Sequence, residues 1–130
     1  MKTTTSWQGH HEFESLNEQN SIKLDGNRLA GFSPKALLLS GLAACSGIDV
    51  VDILQKMRVP FTTFSIDAEA EQTEEHPKVF KDIQLVYHIG TDAANDEKVR
   101  KAIDLSLSKY CGVAAMLKKN SPIHYNLVIE

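Results

Sequence analysis

The chain has 130 residues, enough for one domain with a modest core. Hydrophobic residues make up 42% and charged residues 24%, and the formal net charge is −3, a balance that argues against nucleic acid or an anionic membrane as partner. The opening "MKTTTSWQGHHEF" has no apolar signal core, and no run of apolar residues is long enough to span a bilayer, so the expectation is a cytoplasmic protein. Two cysteines do not make a disulfide scaffold, and in that compartment they rest as thiols.

Taken in chain order, Trp7, Phe13 and Leu16, then Ile22 and Leu24, lie on extended patterns separated by turn formers, which predicts a β-hairpin. His10 and His11 are adjacent, and on a strand they face opposite ways and share no metal. "DGNRLAGFS" reads as a loop. "SPKALLLSGLAACSGIDVVDILQKMR" reads as one long helix, with Ser33 as N-cap, Pro34 as first residue and Pro60 forbidding continuation past Arg58. Its N-terminal two-thirds is apolar nearly all round, which predicts burial on most sides, between layers or at a subunit interface. Gly41 and Gly47 each cost about 1 kcal/mol against Ala in a helix, which points to close approach of another group.

Two alternating segments follow, with Phe64, Ile66, Ala68 and Ala70, then Ile83, Leu85, Tyr87 and Ile89, on one face of a second hairpin. "DAANDEKVRKAIDLSLSKY" predicts a helix buried along Val99, Ile103, Leu107 and Tyr110. "CGVAAMLKKNS" continues as a shorter helix, and "PIHYNLVIE" as a closing strand. The class is α+β, in one domain over residues 1–130.

Cys45 sits inside the long helix, with Asp49 and Asp52 within about 60° of it on the wheel. Free cysteine often only packs, and nearby carboxylates oppose a thiolate, so a working thiol there needs a cation from elsewhere. Cys111 precedes the shorter helix, whose free amides and dipole would favour a thiolate; the plainer reading is a packed thiol. No ligand spacing for a metal and no phosphate-loop pattern occurs, so neither metal nor bound cofactor is expected.

Three stretches together resemble one family. They are "SPKALLLSGLAACSGIDVVDIL", "DLSLSKYCGVAAMLKK" and the early Trp7, Gly9 and Phe13. The chain is similar to the OsmC/Ohr family of osmotically inducible and organic hydroperoxide resistance proteins, and to its small OsmC-like branch in particular. The resemblance implies an intertwined homodimer, with antiparallel sheets wrapped around long central helices. It implies a peroxidatic Cys45 that becomes a sulfenic acid, a resolving Cys111 that forms the disulfide, and an external dithiol reductant. An apolar interface pocket would then take an organic hydroperoxide, or, in a non-catalytic or redox-sensing member, a small apolar ligand. The family's activating glutamate after the helix-head proline is replaced by Lys35, and no arginine precedes Arg28.

Overall fold

The computed structural model describes residues 1–130. By their internal contacts these form two compact units, Met1–Leu39 and Ser40–Glu130.

The first unit is a three-stranded antiparallel meander rather than a hairpin: β1 (Thr4–Gly9), β2 (Glu12–Asn17) and β3 (Asn20–Asp25). Trp7, Phe13 and Leu24 stand in one cross-strand row, with Thr5, Ser15 and Ile22 in the next row on the same face. The extra strand comes from "ESLN", whose polar residues hide a strand that pairs on both edges. His10 and His11 occupy the tight turn between β1 and β2, not a strand; Gly9 and His10 take φ of 109° and 48° to close it. After β3 the chain wraps around the Asp25 carboxylate, which accepts the amides of Asn27, Leu29 and Ala30 at 2.8, 3.2 and 3.0 Å. Those amides, Ala30 first, hold its pKa below 3.8.

Helix α1 (Pro34–Lys56) starts as expected, with Ser33 Oγ accepting the Ala36 amide at 3.3 Å. It ends two residues before Arg58. Val59 N–H bonds Leu54 C=O at 2.9 Å and Arg58 N–H bonds Gln55 C=O at 3.1 Å. With Arg58 at φ 59° this is a Schellman stop, and buried Val59 and Leu54 supply its apolar partners. Burial on most sides is not what this single chain provides: Leu42, Ser46, Gly47, Val50 and Leu54 are buried, while Leu38 and Ile48 remain 50% and 65% exposed.

The second unit pairs β4 (Phe64–Gln72) antiparallel with β5 (Phe80–Ile89), and β5 parallel with β6 (Ile123–Ile129). An all-antiparallel sheet was expected. The chain leaves β5 and returns through helices before β6, and a crossover of that length permits parallel pairing. The register places Ile66 opposite Tyr87 and Tyr87 opposite Leu127, so the predicted inward residues of all three strands share one face. Gly47 of α1 meets this face: a Cβ there would lie 3.3 Å from Ile66 Cδ1. Gly41 meets nothing within 4 Å in this chain.

The crossover consists of a 3₁₀ turn (Ala93–Asn95), α2 (Asp96–Leu105), a π turn (Ser106–Tyr110) and α3 (Gly112–Leu117). The wider π turn shifts the helical phase, so the buried residues are Val99, Ala102, Ile103 and Ser106, and Tyr110 swings out to 54% exposure.

Helix α1 also corrects one expectation. By length and apolarity, with a mean hydropathy of 1.8 over 18 residues, it qualifies as a bilayer span, a test that core helices of soluble proteins also pass.

Candidate functional site

The second unit brings the two cysteines together. Cys45 projects from the middle of α1, half-buried, and Cys111 is buried at the head of α3; both are free thiols. Cys111 is the N-cap of α3, and its Sγ accepts the Ala114 amide at 3.3 Å. That bond favours the thiolate, as the sequence suggests. Burial outweighs it and pushes the Cys111 thiol up to about 11, with the Cys45 side chain in hydrogen-bonding reach and the Asp49 charge adding to the rise. At rest Cys111 is therefore a protonated thiol, contrary to the helix-dipole expectation.

Asp49 lies one turn after Cys45 on α1, and its Oδ2 accepts the Ser106 hydroxyl at 2.9 Å. Ser106 Oγ also contacts Ser46 Oγ at 2.9 Å, and Ser46 Oγ contacts the Tyr87 hydroxyl at 2.6 Å. Tyr87 is fully buried, stacked against Phe64 and edge-on to Tyr125. Burial pushes the Tyr87 phenol up to about 12, with the Ser46 bond pulling against it. No buried side-chain polar atom lacks a partner, so the network is closed. Beside it a groove of about 390 Å³ opens at Asp49, with Ile53, Met57, Leu105 and Tyr110 as its apolar wall.

Ser46, Ser106 and Tyr87 escaped notice in the sequence as a polar network ending on Asp49. The signal was present in the two serines: each is a polar residue at a core position of a helix, where burial demands a hydrogen-bonding partner. Which partner is not written locally.

The fold and this thiol pair define an α+β protein whose long helix carries one cysteine to another at a helix start. A family model, "OsmC-like protein", matches residues 25–126, and the chain belongs to that family. Protein YhfA of Escherichia coli (strain K12) is 39% identical over 101 residues, covering 77% of this chain and 75% of the relative. Among solved structures, a hypothetical protein from Aquifex aeolicus VF5 shares 28% identity with a TM-score of 0.84, over 99% of this chain and 96% of that one. An organic hydroperoxide resistance protein OsmC from Legionella pneumophila, 16% identical over 98% and 97% of the two chains with a TM-score of 0.70, shares the fold.

Proposed function

We propose that the protein is a thiol-dependent peroxidase that reduces organic hydroperoxides through Cys45 and Cys111, acting as a cytoplasmic homodimer. The observation that carries this reading is the pairing of the two thiols: the Cys45 side chain is close enough to Cys111 to shape its titration. Cys45 is the more accessible sulfur and so the one that meets peroxide.

The Cys45 thiolate attacks the peroxide O–O bond, forming Cys45–SOH and releasing the alkoxide, which takes up a proton to leave as alcohol. The Cys111 thiol then attacks the sulfenic sulfur. An S–S bond forms, the S–O bond breaks, and the Cys111 proton leaves with the hydroxyl as water. An external dithiol returns both sulfurs to thiols and is itself oxidised to a disulfide.

The test is mass spectrometry of the reduced protein before and after one equivalent of an organic hydroperoxide, with thiols blocked afterwards. Loss of two hydrogens mapped to a Cys45–Cys111 link is the expected result. An unchanged mass with both cysteines alkylatable after unfolding overturns the reading. The second reading, a non-catalytic or redox-sensing dimer with a small apolar ligand, has its motive in Lys35, which stands where the peroxidases place an acid.

A further inference from the structure

The proposed cycle needs two sulfurs to meet, yet they ride on separate elements, one on α1 and one at the head of α3. What joins those elements is a buried polar contact. Ser46 directly follows Cys45, and Ser106 lies at the start of the π turn that delivers Cys111. Both serines are fully buried, and their hydroxyl oxygens are 2.9 Å apart.

Ser106 is the donor in this contact. Ser106 has one hydroxyl proton and three acceptors in reach, Ser46 Oγ and Asp49 Oδ2 at 2.9 Å each and the Ser46 carbonyl at 3.5 Å. Ser106 is the donor in both 2.9 Å bonds, so its single hydrogen is shared between Asp49 Oδ2 and Ser46 Oγ. Ser46 Oγ in turn contacts the Tyr87 hydroxyl at 2.6 Å, where either oxygen can donate. The contacts run Tyr87, Ser46, Ser106, Asp49 and end on the carboxylate. The other end of Ser106 holds the second cysteine: its carbonyl accepts the Cys111 amide at 2.7 Å, the bond that closes the π turn. Ser106 thus grips α1 with its hydroxyl and Cys111 with its backbone.

We propose that the Ser46–Ser106–Asp49 joint is a positioning device that holds Cys111 against Cys45 so that a sulfenic acid is resolved to a disulfide before a second hydroperoxide reaches it. This rests on the peroxidase reading above. The competing fate is explicit. A second hydroperoxide transfers one oxygen to Cys45–SOH, giving the sulfinic acid and an alcohol, and that product is not recovered by a dithiol. The joint acts on the choice between these fates, because only resolution needs Cys111 in place. Ser46, Ser106 and Asp49 are positioning residues; none of them reacts.

The experiment treats the reduced full-length protein with excess organic hydroperoxide and reads, by mass spectrometry, the ratio of disulfide to sulfinic acid as hydroperoxide concentration rises. Ser106→Ala removes the hydroxyl. Asp49→Leu removes the acceptor from the groove side and keeps the test alive if the alanine variant does not fold. Asp49→Asn keeps an acceptor oxygen and removes the charge. In Ser106→Ala and Asp49→Leu the sulfinic fraction is expected to rise about tenfold at matched peroxide, the scale of losing one buried hydrogen bond. Asp49→Asn is expected to stay near the parent ratio.

A parent-like ratio in the folded Ser106→Ala or Asp49→Leu variant overturns the joint while leaving the peroxidase reading intact. A shift in Asp49→Asn as large as in Asp49→Leu also overturns it, because charge rather than a held acceptor then sets the ratio. A parent protein that forms no disulfide under any peroxide load overturns both.

Discussion

At the scale of single residues, the two thiols differ in what surrounds them. Cys111 has a favourable amide at its sulfur and still resists ionisation, because one neutral N–H donor does not replace the water that burial removes. Its alkylation in the native protein should therefore remain slow at pH 9.0, where an ordinary thiol is half ionised, and should climb only toward pH 11. A pH series of iodoacetamide rates with peptide mapping checks this, and a midpoint at or below 9.0 contradicts it. The sign for stability follows. A thiol whose folded pKa is raised stabilises the protein below its unfolded pKa of 9.0, and that stability is lost as pH rises through the folded value near 11. Denaturation midpoints should fall over that window, and Cys111→Ala should flatten the fall.

At the scale of elements, α1 shows how local rules and their exceptions combine. Its start follows from Ser33 and Pro34, and its stop from a Schellman motif with an arginine where glycine is favoured. Arg58 bears a left-handed φ of 59°, a region costly for a residue with a Cβ. Arg58→Gly should raise stability by about 0.5–1 kcal/mol in urea unfolding, the relief of left-handed strain less the extra entropy of an unfolded glycine. A loss of stability would show that the arginine side chain contributes more than its backbone costs.

The β4–β5–β6 sheet carries a second element-scale device. His88 on β5 contacts Asp67 of β4 at 3.0 Å and Glu130 just beyond β6 at 3.1 Å. Asp67 first and Glu130 second raise its pKa above 6.5, so its contribution is present below pH 6.5 and is lost as pH rises through the higher folded value. An NMR titration of the His88 ring should give a midpoint above 6.5 that falls back in Asp67→Asn. An unmoved midpoint in that variant would mean that Asp67 does not hold the ring.

At the scale of the whole molecule, apolar surface lies open in both units. On the meander face Trp7 is 67%, Phe13 38% and Ile22 45% exposed, and on α1 Leu38, Gly41, Ala44 and Ile48 form an uncovered stripe at helical spacing. Scattered single residues of this kind need no cover, but a row on a sheet and a stripe on a central helix do. The proposed homodimer would cover such surface with a second copy. Gly41 offers a clean probe, since a side chain there meets nothing within its own chain. Gly41→Trp should leave the circular dichroism spectrum unchanged while shifting sedimentation from dimer to monomer. Sedimentation of the parent protein as a monomer would remove the dimer from the account.

How much of this was legible beforehand depends on the range of the interaction. The sequence alone determined the strand alternations of β4, β5 and β6, the start of α1, the position of both cysteines on or beside helices and the family they resemble. The alternations and the helices are rules about spacing along the chain, with a period near two for strands and 3.6 for helices, the start of α1 comes from Ser33 and Pro34, and the family comes from resemblance to its motifs. The second strand of the meander was missed as a separate element because its residues are mostly polar and its pairing comes from its neighbours. The π turn was missed because one extra residue in a helical turn leaves no compositional mark, and it moved Tyr110 off the buried face. The parallel pairing of β6, the burial that keeps Cys111 protonated and the meeting of Ser46, Ser106, Asp49 and Tyr87 came only with tertiary structure. Those residues are distant along the chain, and desolvation and hydrogen-bond partnership depend on what folds against a group rather than on what precedes it.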